Sequence, residues 1–324
     1  MSLRFSTEQL TDMIKAEAKR LGFHSCGMAE ALPVDEHVAE RYRLWIAESH
    51  HAGMAYLANN VEKRLNPLLL MPETKTIICV ALNYTPARHI DSSQYEIAAY
   101  AYGHDYHDIV KQRLRMLEQF IADACVDGEE KPVMRSFCDT APVLERYWAQ
   151  KAGLGWIGRN HQLIIPKAGS MFFLGELFIS IPLQYDKPIN AHCGNCNACT
   201  HACPTGAICS ATDSLFCAEM CISYHTIENK GDIPESVACR MGNSIYGCDR
   251  CQAACPHNTL AKPTTEPLLM PDDSLSSMTD ADWENLTTEQ YRQIFKGSAV
   301  KRAKYDKLMK NIGIAKTNTG RGNR

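Results

Sequence analysis

Apolar positions recur at helical spacing near the start of the chain. Leu10, Met13, Ile14, Ala18 and Leu21 fall on one face of residues 7–21, with Thr7 at the capping position and Gly22 as the stop. Phe23–Met28 then changes to the rhythm of a short strand. Val34–His50 returns to helix, and Ile77–Leu82 is a continuous apolar run of the kind a strand shows when both its faces are buried. Asp105–Val126 is helical, Pro132–Phe137 a strand and Val143–Lys151 a helix; Gln162–Ile165 and Met171–Ile181 are strands. Helices and strands thus mix through about residue 185, which predicts an α/β or α+β domain. Lys262–Ser277 is Pro-rich and linker-like, and Thr288–Lys310 is helical again.

Between these regions the pattern is set by cysteine. Cys193, Cys196, Cys199 and Cys203-Pro204 have the spacing C-x2-C-x2-C-x3-C-P, and Cys248, Cys251 and Cys255-Pro256 repeat it without the first cysteine. That spacing holds iron–sulfur clusters in two-cluster ferredoxins, where the fourth cysteine ligates the other cluster. Crossing the fourth ligands gives Cys193, Cys196, Cys199 and Cys255 to one cluster and Cys203, Cys248 and Cys251 to the other. The second cluster needs one more thiolate. Cys209, Cys217, Cys221 and Cys239 are candidates; Cys221 opens an ordered apolar segment, and Cys217 lies one helical turn earlier. Zinc is the competing metal, but a structural zinc ion takes four ligands and these runs overfill it. Met1–Leu10 is polar, which argues against a signal peptide and secreted disulfides. Cysteines outside the runs, such as Cys79 in its buried strand, are expected to pack as small apolar residues.

The 324 residues, 45% of them hydrophobic, suffice for two domains, and no apolar run approaches the ~20 residues of a membrane span. A net charge of −3 does not announce a nucleic-acid partner. Its distribution does more: Lys296–Arg324 holds nine Lys or Arg against Asp306 alone, a tail of about +8 suited to phosphate. Its last residues, Thr317–Arg324, read as a disordered end.

Gly153-Leu-Gly155-Trp-Ile-Gly158 matches G-x-G-x-x-G, but a helix precedes it and a strand follows, the reverse of a dinucleotide site. Close backbone approach is the better reason for these glycines. Asp139 lies where a strand gives way to a helix, with Pro142 in a first-turn position. Either Asp139 or Thr140 caps that helix, or the Asp139 carboxyl, desolvated beside Phe137, Cys138 and Val143, stays protonated as a general acid. Glu145 and Arg146 read as surface or interdomain ion-pair formers. Tyr102-Gly-His104-Asp-Tyr106-His107 suggests a lined pocket.

Taken together the chain resembles the epoxyqueuosine reductase family of cobalamin- and iron–sulfur-dependent tRNA-modification enzymes. The resemblance is carried by Glu62-Lys63-Arg64, Tyr102–His107, Asp139–Arg146, Gly153–Asn160, Gly169–Leu177, Cys221–Glu228 and both cysteine runs, over roughly residues 5–315. It implies an α+β fold: a nitroreductase-like cobalamin-binding catalytic domain (1–185), a ferredoxin-like domain with two 4Fe–4S clusters (186–261), and a C-terminal linker with a basic helical tail (262–324). The implied activity is reduction of epoxyqueuosine at the tRNA wobble position to queuosine. Asp139 matches the family's proton donor, and Cys221 matches the second cluster's fourth ligand. Cobalamin contacts are implied at Lys63, Arg64, Tyr102, Asp139, Leu163, Ile164, Ile165, Ser223, Cys248 and Asp249. The tail residues Lys301, Arg302, Lys304 and Lys307 would meet tRNA.

A cytoplasmic monomer reduced by a flavodoxin or ferredoxin completes the expectation. Two departures stand out: many family members carry a further C-terminal domain of helical repeats, and some have a cysteine near the position of Tyr102. Two rivals use similar parts. A reductive dehalogenase would share cobalamin and clusters, but its respiratory forms begin with a twin-arginine signal. A ferredoxin-type carrier would not need some 190 residues ahead of its clusters.

Overall fold

The computed structural model describes residues 5–90, 95–125, 131–208 and 215–320. In chain order the elements are α1 (Thr7–Arg20), β1 (Ser25–Glu30), α2 (Glu36–Ala47), α3 (Ala55–Ala58), α4 (Val61–Leu65), β2 (Thr76–Asn83), β3 (Glu96–Ile97) and α5 (Tyr106–Cys125). Then come β4 (Met134–Phe137), α6 (Glu145–Lys151), β5 (Trp156–Ile157), β6 (Leu163–Ile164) and β7 (Phe172–Ile179). Short helices follow: α7 (Ala198–Ala202), α8 (Ile222–Ile227), α9 (Glu235–Ala238), then β8 (Ser244–Tyr246), α10 (Arg250–Ala253), α11 (Asp273–Ser276), α12 (Asp280–Glu284), α13 (Thr288–Ile294) and α14 (Lys304–Asn318). The mixture is α+β, as expected.

Backbone contacts gather the chain into two compact units. The first comprises residues 1–44, 59–83 and 107–194; the second comprises 45–58, 84–106 and 195–324. In the first unit four antiparallel strands lie in the order β1-β2-β7-β4. The two central strands, β2 and β7, are buried almost throughout, which is why they read as continuous apolar runs. Alternation along β7 sorts its neighbours. A Cβ on Gly175 would meet Val110 and Leu114 of α5 at 2.8 and 3.0 Å, so that face lies under α5. Leu174, Phe178 and, between them, Glu176 face the other way, with Cys79 and Phe137 as cross-strand partners. Tyr147, Trp148 and Ala149 of α6 close the core there.

The second unit is tied together by its early segments. Trp45 Nε1 donates to Phe216 O at 2.6 Å and Gly53 N to the Tyr224 hydroxyl at 2.9 Å. Strand β3 pairs in parallel with β8 (Glu96 with Ser244, Ile97 with Tyr246). Helix α14 packs on β8 and α8, where wholly buried Asn311 donates to Thr226 O and Ile245 O at 2.9 and 2.8 Å.

Several sequence expectations are corrected. Helix α1 is capped by Ser6, not Thr7, in a capping box closed by Gln9. Residues 262–277 are not a loose linker: Leu269 and Leu275 are buried, and Thr264 N donates to Thr85 O at 2.8 Å. The helix expected over 288–310 is broken, because Gly297 turns with φ +73° and Lys304 with φ +62° to bury Phe295, Val300 and Ala303. Helix α14 in turn continues to Asn318, into the stretch expected to be disordered. Residues 321–324 and the candidate ligand Cys209 lie outside the described residues.

Candidate active centre and cluster ligands

In the first unit, Asp139 follows the end of β4 and takes the left-handed conformation, φ +57°. Helix α6 begins only at Glu145, with Leu144 at its N-cap and no side-chain cap. Asp139 and Thr140 therefore do not cap it, and Pro142 stands outside its first turn. Nor is Asp139 desolvated in this chain: its side chain is 60% exposed, and His107 Nε2 lies 3.3 Å from its Oδ2. The buried carboxyls are its neighbours. Glu145 Oε1 accepts from the Asp139 backbone N–H. Glu145 is half-buried on the surface, but its carboxyl end is set among protein atoms. Desolvation there, with the Asp139 charge, pushes it up to about 7. Glu176 is wholly buried and is pushed well above the ordinary carboxylate value by desolvation and by Glu145 beside it.

Glu145 thus belongs to an acidic cluster with Glu176 and Asp139, with the Arg146 charge also acting on it. Its exposed neighbour Arg146 donates to His161 O, and desolvation of the guanidinium lowers it from the usual arginine value. Sequence reasoning missed Glu176 as a functional group. A charged residue inside the apolar run Phe172-Phe-Leu-Gly-Glu-Leu-Phe-Ile179 was the available signal.

Around the Gly153–Gly158 segment a helix, α6, precedes and the strand β5 follows, as expected. A Cβ at Gly155 would meet Ile164 O at 2.1 Å, so glycine is needed for strand approach and not for phosphate. Leu163, Ile164 and Ile165 have buried side chains, and Ile165 N donates to Gly169 O at 2.7 Å. Arg64 is buried and donates to Val143 O at 3.5 Å, while Lys63 is exposed. The Tyr102–His107 stretch runs from the second unit into the first. His107 reaches Asp139 in the first unit, whereas residues 102–106 belong to the second, where Gly103 admits Leu268 O closer than a Cβ would allow, at 2.2 Å.

In the second unit, α7, which carries Cys199, packs on α10, which carries Cys251. Cys203, Cys221, Cys248 and Cys251 perturb one another. Burial first, then neighbouring thiols, raises Cys221, Cys248 (to about 11) and Cys251, with Cys221 acting on both of the last two. Cys217 also acts on Cys221. Backbone N–H groups point at the sulfurs: Tyr224 and Ser223 at Cys221, Arg250 at Cys248. At Cys203 burial is outweighed by N–H groups of Ile208, Thr205 and Ala207 and by the Thr205 hydroxyl, leaving it below the ordinary thiol value. Four thiols near enough to act on one another, with amide donors on sulfur, are a donor set that suits an iron–sulfur cluster. Of the other set, Cys199 and Cys255 are buried, Cys193 is partly exposed and Cys196 exposed; Cys239 is exposed as well. Among the described residues no three His, Cys, Asp or Glu side chains converge on a point that one metal ion would fill.

Tyr102 and Asp249 sit near one another. Asp249 is pushed up to about 6 by burial and accepts from Ala99 N at 2.6 Å; the Tyr102 hydroxyl accepts from Ile90 N at 3.3 Å. On the basic tail Arg302 makes a two-pronged pair with Glu228, 2.9 Å on each arm, and Lys310 and Lys316 pair with Asp232 and Glu284. Lys301 and Lys304 are exposed, and Lys307 is half-buried and lowered by desolvation.

Residues 64–140 match the family model described as epoxyqueuosine reductase QueG, DUF1730, and residues 192–258 match the 4Fe-4S double cluster binding domain. An epoxyqueuosine reductase of Cellulophaga algicola is 43% identical over 309 residues, 95% of this chain and 99% of that one. The Escherichia coli epoxyqueuosine reductase is 37% identical over 322 residues, covering 97% and 83%. A crystal structure of epoxyqueuosine reductase with an epoxyqueuosine-modified tRNA-Tyr stem loop superposes with a TM-score of 0.86 at 28% identity, covering 96% and 81%. A Bacillus subtilis epoxyqueuosine reductase, with its catalytic aspartate loop swung out of the active site, gives 0.85 at 28%, covering 96% and 82%. With near-complete coverage at these identities, the chain belongs to the epoxyqueuosine reductase family.

Proposed function

We propose that this protein reduces epoxyqueuosine at the wobble position of tRNA to queuosine, the last step in making that base. The observation that carries this reading is 43% identity to an epoxyqueuosine reductase over 95% of the chain. The cofactors are two 4Fe–4S clusters, held in the double-cluster domain, and cobalamin, which comes with the family. Cys193, Cys196, Cys199 and Cys255 hold one cluster. Cys203, Cys221, Cys248 and Cys251 hold the other, supported by the mutual perturbation of those four thiols. Lys63, Arg64, Tyr102, Leu163–Ile165, Ser223 and the Cys248–Asp249 turn are assigned to cobalamin. By function, residues 1–185 serve cobalamin and catalysis, 186–261 the clusters, and 262–324 the tRNA.

Removing the epoxide oxygen as water consumes two electrons and two protons and leaves an alkene. When bound, the clusters pass electrons singly, and a low-valent cobalt supplies them in the pairs the reaction needs. The protein's own part is the proton. As the C–O bond breaks, Asp139 donates to the developing alkoxide, and His107 at 3.3 Å holds the carboxyl in place. Exposure of Asp139 leaves it open to substrate and to reprotonation by water. Lys301, Arg302, Lys304 and Lys307 bind the tRNA backbone, Arg302 after exchanging Glu228 for phosphate. A cytoplasmic monomer reduced by a flavodoxin or ferredoxin fits these parts; among the described residues no helix is long and apolar enough to cross a membrane.

The test is anaerobic turnover of an epoxyqueuosine-bearing anticodon stem-loop, with iron and cobalamin quantified in the same preparation. Asp139→Asn should keep both cofactors and lose activity by roughly 10²–10⁴-fold, the usual worth of a general acid. Near-normal turnover in that variant would remove Asp139 from the proton-donor role.

A further inference from the structure

Glu176 is a costly side chain to bury. It lies wholly buried on a central strand, between Cys79 of β2 and Phe137 of β4. Among the described residues neither of its carboxyl oxygens meets a hydrogen-bond donor, and its neighbour is another carboxyl, Glu145. Two carboxyls in contact without a donor cannot both be ionised; a single proton between them satisfies both. Glu145 Oε1 accepts from the backbone N–H of Asp139.

That N–H belongs to a residue in a strained conformation. A non-glycine residue at φ +57° reverts to negative φ unless its surroundings hold it, and such a reversal re-aims the side chain. We propose that Glu145, backed by the proton it shares with buried Glu176, is a latch that fixes the Asp139 backbone and so aims the acid at the substrate. Glu145 and Glu176 are then positioning residues. This inference rests on Asp139 being the proton donor.

The groups facing the pair are Asp139 and His107 on the solvent side, Arg146 on α6, Cys79 on β2 and Cys138 after β4, with Lys111 of α5 beyond Cys138. Glu145 is raised above its ordinary value and Glu176 more so, which agrees with a retained proton. A glutamine at either position supplies an amide N–H in place of that proton, and at position 145 its carbonyl still accepts from Asp139.

The experiment compares Glu145→Gln, Glu176→Gln and Glu145→Ala, all loaded with clusters and cobalamin. Turnover is measured from pH 6 to 8, and amide hydrogen exchange is followed in a peptide spanning residues 137–142. The latch predicts that both glutamine variants keep turnover within about threefold and keep Asp139 protected. It predicts that Glu145→Ala loses about 10–100-fold in kcat, little in KM, and exchanges the Asp139 amide at least about tenfold faster. A Glu145→Gln variant as inactive as the alanine variant, with the amide still protected, would make Glu145 a proton carrier and overturn the latch. Full activity in Glu145→Ala would overturn it too. If Glu145→Ala does not fold, loss of protection in either glutamine variant is refuting. Because exchange is read without turnover, a failed latch stays distinct from a failed Asp139.

Discussion

Substituting Glu145 by glutamine should change how stability depends on pH before it changes anything else. A Glu145 carboxyl moved from 4.5 to about 7 on folding binds its proton more tightly in the native state. Stability from such a group is whole below pH 4.5 and is withdrawn as pH rises to about 7. At about 1.4 kcal/mol per tenfold, the loss is on the order of 3 kcal/mol. Glutamine has no proton to lose, so Glu145→Gln should match the wild type near pH 5 and exceed it at pH 8. Expressed as melting temperature the gap is about 5–10 °C for a cooperative unit of this size. Glu176→Gln should gain more at high pH, because Glu176 is raised further and keeps costing stability as pH climbs. The assay is anaerobic thermal unfolding of the loaded protein at pH 5, 6, 7 and 8 in low salt, followed by tryptophan fluorescence. Parallel curves for wild type and Glu145→Gln, or a variant less stable at every pH, would refute the buried-carboxyl account.

Cys221→Ser should reduce the iron content from two clusters toward one, whereas Cys217→Ser and Cys239→Ser should leave it unchanged; loss of iron from Cys217→Ser instead would move the ligand one turn back. Lys301→Glu and Lys304→Glu should weaken stem-loop binding and flatten its dependence on salt by about 0.7–0.9 in log–log slope per lost phosphate contact, as read by titration at several salt concentrations. Arg302→Ala should cost less than either, since its guanidinium must first give up Glu228; an equal or larger loss would show that this pair does not compete with tRNA.

The sequence carried the strands well, because β2 and β7 are buried on both faces and leave an unbroken apolar run. Both cysteine runs and the reversed G-x-G-x-x-G segment were legible for the same reason: spacing and order along the chain decide them. Glu145 and Glu176 were not. A glutamate is an exposed residue by default, and only its cross-strand and helix neighbours, placed by distant parts of the chain, bury it. Asp139 was picked out for the wrong environment, as its desolvation was inferred from flanking residues that point elsewhere. The packed 262–277 segment was missed because proline content signals lost helix and says nothing of burial by partners such as Thr85.

The interleaving of the two units bears on how the chain is made. Residues 45–58 and 84–106 belong with residues from 195 onward. At a synthesis rate of roughly 5–20 residues per second, Tyr106 precedes the start of that partner region by about 4–18 s. Through that interval β3 has no β8 to pair with, and the Trp45 indole has no Phe216 carbonyl. Neither unit can be produced alone by a single cut, and truncation ahead of residue 195 would leave the two early segments without the partners they pair with. On the ligand assignment proposed above, both cluster sets become complete only when the second cysteine run emerges, with Cys251 for one and Cys255 for the other. Iron–sulfur loading and closure of the second unit are thereby bound to one late moment in the protein's synthesis.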